Sequence, residues 1–160
     1  KFKNVIDIGC GTGLAGLEFR DVAETLIGID LSQNMVQQAE NKNIYDELYV
    51  DDIVDRLEVL KTKFNLFISS DVFTYIGNLL PLFHCIKKHS TQKSLFLFST
   101  EHTEGERFIL NNSGRYAHSK DYIMSVATQS RFKLKSFTKC NLRYERDAWV
   151  IGGIYVLKDS

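Results

Sequence analysis

Apolar and polar positions alternate between two kinds of segment along the chain. Short runs rich in apolar and β-branched residues stand at 5–8, 26–29, 47–50, 66–69 and 94–98, and their length and composition predict strands. Between them the apolar residues recur at helical spacing: Met35, Val36 and Ala39 after Ser32, and Leu79, Leu80, Phe83 and Ile86 within 77–88. Ser32 is a side-chain cap for the first of these helices, and Pro81 falls in the first turn of the second, where its missing N–H costs nothing. Strands alternating with helices in this way predict an α/β fold, a doubly wound and mostly parallel sheet covered on both faces.

After the fifth strand the pattern changes to a polar loop over about 101–118, a helix capped by Ser119, and two further strands at 132–142 and 149–157. Parallel neighbours need a crossover of a dozen or more residues, so the short link between these strands makes them an antiparallel hairpin. Arg131, Lys133 and Lys135 alternate with Phe132 and Leu134, which gives the first of them one wet side. At 160 residues the chain fits one domain. Lys1 stands so close to the first strand that an N-terminal segment is expected to be lacking.

Composition narrows the classes. Basic and acidic residues balance at 20 each, but 1–80 carries 7 basic against 13 acidic residues and 81–160 the reverse. No basic run is interleaved with stacking aromatics, so the asymmetry reads as a solvated surface, not a nucleic-acid footprint. No apolar run approaches the roughly 20 residues that span a bilayer, and no leader pattern is present. Cys10, Cys85 and Cys140 are scattered without CxxC spacing, so neither a disulfide framework nor a metal site is expected, and a reducing cytoplasm is the expected home.

The chemistry concentrates in Asp7-Ile8-Gly9-Cys10-Gly11-Thr12-Gly13-Leu14-Ala15-Gly16, which predicts a strand turning through glycine into a helix. Two fingerprints overlap there. Gly11 to Gly16 satisfies GxGxxG, the dinucleotide pattern, while Asp7, Gly9, Gly11 and Gly13 satisfy an acid-x-GxGxG pattern. A pyrophosphate belongs on a helix N-terminus, and a carboxylate at Asp7 opposes it. The same carboxylate suits S-adenosylmethionine, which carries an ammonium and a sulfonium and no phosphate. Open α/β sheets bind ligands at the carboxyl ends of their strands, which directs attention to Asp30, Asp51, Asp52, Ser69, Ser70, Asp71 and Glu101. Asp30 closes the second strand 17 residues after Gly13, where a carboxylate accepts both ribose hydroxyls. Asp52, with Asp51 as its rival, suits an adenine amino group, flanked by Met35 and Ile53; either acid equally suits a cap for the helix starting at Ile53. Cys10 reads as a small side chain packed under the ligand.

The stretches VIDIGCGTG, GIDLSQNM, YVDDI and LFISSDVFTYIGNL, with the terminal hairpin, resemble the class I S-adenosylmethionine-dependent methyltransferases over nearly the whole chain. More narrowly, SSDVFTYIGNL and SGRYAHS look like predicted bacterial methyltransferases associated with tetratricopeptide repeats, which implies a possible upstream repeat domain. The resemblance implies a Rossmann-like seven-stranded sheet of order 3-2-1-4-5-7-6, S-adenosyl-L-methionine as cofactor and S-adenosyl-L-homocysteine as product. Departures are Asn65, where Asp is usual, and Asp51, where a small residue is usual. By the same resemblance Gly9, Gly11 and Gly13 pass the methionine part, Asp7 holds the ammonium through water, Asp30 takes the ribose, and Asp52 with Ile53 the adenine; Cys10, Leu31, Met35 and Ser70 complete the expected cofactor-binding residues. Asp71, Phe73, Tyr75, Glu101, His102, Arg115, Tyr116 and His118 are expected to face the acceptor. His118, beside Arg115 and Tyr116, is the first choice for a base, and Asp71 joins them as a catalytic candidate. The acceptor expected is a small molecule, a carrier-bound group or a protein, the first favoured, with neither nucleic acid nor membrane as partner. Two alternatives stay open: an NAD(P)-binding oxidoreductase and a non-catalytic cofactor-binding module.

Overall fold

The computed structural model describes residues 1–160. In chain order its elements are β1 (Phe2–Ile8), α1 (Leu14–Phe19), β2 (Ala23–Asp30), α2 (Gln33–Glu40), β3 (Glu47–Val50), α3 (Ile53–Val59), β4 (Phe64–Ser69), α4 (Leu80–His89), β5 (Ser90–His102), β6 (Phe108–Leu110), β7 (Tyr116–His118), α5 (Lys120–Gln129), β8 (Phe132–Glu145) and β9 (Ala148–Asp159). β3, β2, β1, β4 and β5 lie side by side in parallel, with Val5 of β1 opposite Leu26 on one side and Leu66 on the other. β9 runs antiparallel along β5, and β8 antiparallel along β9. With β8 and β9 as sixth and seventh strands, this is the 3-2-1-4-5-7-6 order that the methyltransferase resemblance implies. The order reverses between β1 and β4, so a crevice opens where their carboxyl ends part.

The loop expected over 101–118 is corrected by the structure. β5 continues to His102, and β6 and β7 form a small hairpin whose second strand pairs parallel with β5 at Glu101↔Ala117 and His102↔His118. Strands of three residues carry too little alternation to show as a period. α4 starts at Leu80, three residues later than the apolar spacing suggested, because the Asn78 side chain accepts the Leu80 N–H there; Pro81 still falls in its first turn. Met35 lies 41% exposed at the mouth of the crevice, whereas Val36 and Ala39 face inward as expected.

Most of the core lies on one face of the sheet, where β-strand residues pack against α3, α4 and α5. Phe96 is its hub: its ring centroid lies 4.6 Å from Phe98, 5.2 Å from Phe83 and 6.2 Å from Phe67, and Phe98 stacks on Tyr155 at 5.1 Å. The opposite face carries a smaller cluster of Val5, Leu26, Leu66 and Ile68 against α1. No helix is long and apolar enough to cross a membrane.

Candidate functional site

A cleft of 610 Å³ opens at the carboxyl ends of β1, β2, β3 and β4, bounded by Gly9, Gly11, Asp30, Leu31, Ser32, Met35, Asp52, Ile53, Ser70, Asp71, Val72, Tyr75 and Ile76. Its floor is the glycine turn between β1 and α1. Gly9, Gly11 and Gly13 have φ of +67°, +52° and +86°, left-handed values that a side chain disfavours. The Cys10 N–H donates to the Ile29 carbonyl at 2.9 Å, and the Gly13 N–H donates to the Cys10 carbonyl at 2.8 Å, which tie the turn to β2 and close it. A Cβ on Gly11 would meet no atom within 4 Å, so the turn shows bare backbone to the cleft. A Cβ on Gly9 would collide with Val72, so the loop after β4 rests directly on the turn.

Asp30 fastens the turn to the opposite wall. Its Oδ2 accepts the Gly11 N–H at 2.9 Å and its Oδ1 the Ser32 N–H at 2.8 Å. A carboxylate oxygen has a second lone pair, so each keeps one acceptor site toward the cleft. Of the two acids after β3, only Asp52 lines the cleft. Asp51 accepts from the Asp52 N–H and is paired with Arg56 at 2.8 Å, away from the cleft lining. Asp52 caps α3 with Oδ1, accepting from Val54 at 2.8 Å and Asp55 at 3.2 Å, and still lines the cleft. Cap and site residue are therefore the same side chain.

Three of the expected cofactor residues stand behind the cleft surface. Gly13 is the N-cap of α1, Cys10 is buried, and Asp7 is fully buried beneath the turn. Asp7 Oδ2 accepts the Tyr45 hydroxyl at 2.6 Å while Oδ1 has no partner. Burial pushes the Asp7 carboxyl up to about 6, opposed by the Tyr45 hydroxyl and the Gly16 amide, with Asp30 adding to the rise. Burial, together with Asp7 and Asp30, pushes the Cys10 thiol up to about 12, which keeps it neutral and suits packing, not nucleophilic chemistry. Tyr45 went unnoticed in the sequence. Its ring fills the space that side chains at Gly16 and Gly28 would take, so Gly16, the last glycine of the GxGxxG pattern, makes room for a tyrosine.

A raised carboxyl pKa carries a stability consequence of definite sign. The folded state holds its proton more tightly than the unfolded chain, so this contribution is complete below about pH 4 and is lost as pH rises through about 6. The loss is on the order of 3 kcal/mol, at about 1.4 kcal/mol per pKa unit. Urea unfolding of the native protein and of Asp7→Asn at pH 4 and pH 7 should therefore show the variant gaining on the native protein at the higher pH. A pH-independent difference would contradict the burial assigned to Asp7.

The wall on the β4 and β5 side is made by Asp71, Val72, Tyr75 and Ile76. Asp71 has φ +59° and is held by two contacts: its N–H donates to Ser99 Oγ at 2.9 Å, and Oδ1 accepts from Arg143 at 2.8 Å. Arg143, on β8, also pairs with buried Glu101 and with Glu145, and Arg115 donates to Glu145 at 2.6 Å. Arg115 thus reaches Asp71 only through this chain of ion pairs. The other residues expected at the acceptor are placed elsewhere. Phe73 is fully buried in the phenylalanine cluster, His102 pairs with Glu104 at 3.0 Å, and Tyr116 packs on Phe108 at 5.9 Å.

His118 is likewise corrected as a base. It is fully buried in β7, its Nε2 lies 3.1 Å from the Gly77 carbonyl, and its ring stacks on Tyr122 at 5.8 Å. Burial lowers its pKa, favouring the neutral ring. Replacing His118 with Ala should cost about 1–3 kcal/mol of stability, from the lost packing and the lost hydrogen bond to the Gly77 carbonyl, which keeps only the longer bond from the Tyr122 hydroxyl. It should leave ligand affinity at the cleft unchanged, as thermal unfolding and titration calorimetry on one preparation would show.

Comparison with known proteins places this geometry. Residues 1–141 match the family model described as a methyltransferase domain. An uncharacterized protein of Haemophilus influenzae is 33% identical over 127 residues, covering 70% of this chain and 50% of that protein. A probable 18S rRNA (guanine-N(7))-methyltransferase of Dictyostelium discoideum is 29% identical over 94 residues, covering 58% of this chain and 33% of that protein. The chain thus spans half or less of these curated relatives. Among solved structures, the O-methyltransferase of a trans-AT PKS multienzyme from Brevibacillus brevis, in complex with S-adenosyl-L-homocysteine, superposes with a TM-score of 0.82 at 11% identity, covering 100% of this chain and 67% of that one. At that identity the likeness speaks for the fold.

Proposed function

Because the chain belongs to the methyltransferase-domain family, we propose that it binds S-adenosyl-L-methionine over the glycine turn and transfers the methyl group to a small-molecule acceptor. A carrier-bound or protein group is the wider form of the same reading. The observation that carries it is the charge of the cleft: Asp30, Asp52 and Asp71 line it, and no Lys, Arg or His does. A site of that sign suits an ammonium and a sulfonium and is unfavourable for a pyrophosphate, which disfavours the oxidoreductase alternative.

The residues present fit this cofactor. Gly11 offers open backbone, Asp30 keeps a lone pair on each oxygen for the two ribose hydroxyls, and Asp52 keeps Oδ2 for the adenine amino group. Leu31, Met35 and Ile53 supply the apolar flanks of the ring site. When bound, the cofactor supplies an electrophilic methyl group on a sulfonium. Asp71 and Tyr75 then orient the acceptor from the facing wall, and holding the two reactants in line contributes about 7–11 kcal/mol to lowering the barrier. Of the acceptor candidates, only these two bring polar side chains to the cleft surface.

Small acceptors are favoured over nucleic acid because no basic residue lines the cleft and Arg143, which touches its wall at Asp71, is already paired with three carboxylates. A phosphate backbone would meet carboxylates and no cation on the cleft lining itself. The narrower likeness to repeat-associated methyltransferases, with an upstream repeat domain, belongs to this proposal, as does a cytoplasmic location. Incubation with labelled S-adenosylmethionine and a cell extract, followed by separation into small-molecule, protein and nucleic-acid fractions, tests the acceptor class. Label should enter the small-molecule fraction. Label in nucleic acid would overturn the acceptor, and transfer to no fraction would favour a non-catalytic module.

A further inference from the structure

The connection between α2 and β3 carries one aromatic ring deep under the glycine turn, and the chain on both sides of that ring is pinned. Ahead of it, the Ile44 carbonyl accepts from Arg20 at 2.8 Å; behind it, the Asp46 N–H donates to the Leu26 carbonyl at 2.9 Å, and Asp46 Oδ2 accepts the Leu26 N–H at 2.7 Å. The ring between them, Tyr45, approaches the Cβ positions of Gly13 at 3.0 Å and Gly28 at 2.9 Å and fills that of Gly16. Its hydroxyl meets Asp7, a fully buried carboxylate whose other oxygen has no partner. Asp7 lies two residues before Gly9, whose backbone lines the cleft.

A carboxylate in that position is costly unless something uses its charge. Resting on the cofactor reading above, we propose that Tyr45 is a positioning residue for the amino-acid end of the ligand. It fixes the orientation of Asp7 behind the turn and favours the ionised carboxylate, whose negative charge then acts through the turn on the ligand's ammonium. The other ionisable groups close to Asp7 are Cys10 in the turn and Asp30 at the end of β2, and both raise the cost of that charge when ionised. The Tyr45 hydroxyl opposes them. Burial raises its own pKa further, so it stays a donor across the working range.

Tyr45→Phe keeps the ring against the three glycines and removes only the hydroxyl, so it separates positioning from packing. Calorimetric titration should use two probes: S-adenosyl-L-homocysteine, which carries the ammonium, and 5′-methylthioadenosine, which lacks the amino-acid end. In Tyr45→Phe the affinity for S-adenosylhomocysteine at pH 7 should fall about five- to tenfold, and that for methylthioadenosine should stay within twofold. The native affinity for S-adenosylhomocysteine should decline as pH falls through about 6, and in Tyr45→Phe that decline should start at higher pH. Asp7→Asn should bind weakly with no such decline. Equal losses for both probes would make Tyr45 a prop for the fold alone, and no loss for either would remove it from binding; both outcomes overturn the proposal. Failure of the native protein to bind either probe would instead sink the cofactor reading itself.

Discussion

Asp30→Ala should weaken S-adenosyl-L-homocysteine binding by a hundredfold or more. Both oxygens of Asp30 already hold backbone, one the Gly11 N–H and the other the Ser32 N–H, so the carboxylate is rigid before a ligand arrives. A rigid acceptor loses little entropy on binding, and two charge-assisted bonds to ribose hydroxyls are worth about 1.5–3 kcal/mol each. At about 1.4 kcal/mol per tenfold, their loss exceeds two decades. Asp30→Asn keeps one oxygen acceptor and should fall between the native protein and the alanine variant. Calorimetry at pH 7 reads the difference, and loss of methylthioadenosine affinity in parallel would separate this effect from that of Tyr45. An unchanged affinity would remove Asp30 from the ribose.

Gly9→Ala should lower folding stability by about 2–5 kcal/mol. Two causes add: a left-handed backbone costs an L-residue about 1–2 kcal/mol, and the new Cβ meets the Val72 side chain, where overpacking costs about 1–3 kcal/mol. The second cause is separable. Val72→Ala removes the colliding methyl groups, so in the double variant the collision should disappear while the backbone cost remains. A double-mutant cycle from urea unfolding should give a coupling of about 1–3 kcal/mol between the two positions. Additive effects would mean that the loop after β4 does not rest on the turn. Because Val72 also lines the cleft beside Asp71, ligand affinity should fall in Gly9→Ala and return partly in the double variant.

The strands were legible where burial on both faces leaves a short, mostly apolar run, as in Leu66 to Ile68 and in Val5 to Ile8, which only Asp7 interrupts. The hairpin of β8 and β9 was legible from the shortness of its turn. The β6–β7 hairpin was hidden, because its strands are three residues long and one of them finds its partner only at the end of β5. That placement is what buries His118, so a histidine in an apparently polar loop became a core residue. Asp30, Asp52 and the glycines of the turn carry local signatures, and eight of the eleven expected cofactor residues line the cleft: Gly9, Gly11, Asp30, Leu31, Met35, Asp52, Ile53 and Ser70.

Tyr45 and Arg143 had no such signature. Each meets its partners across more than 30 residues of chain, Tyr45 at Asp7 and Arg143 at Asp71 and Glu101. One hint was available for Tyr45: a glycine inside a buried strand marks a close approach, and Gly28 is such a glycine. Arg143 lies one residue beyond the strand expected over 132–142, whereas β8 runs on to Glu145. Its position over the crevice follows from β8 running beside β9 past the end of β5, which is a property of the sheet and not of the local sequence.

The glycine turn satisfies two fingerprints, and the cleft above it now separates them by charge. Titration calorimetry of the native protein with S-adenosyl-L-homocysteine and, separately, with NAD⁺ tests that separation directly. The account predicts saturable one-to-one binding of S-adenosylhomocysteine and no heat with NAD⁺. Saturation by NAD⁺ with none by S-adenosylhomocysteine would contradict it.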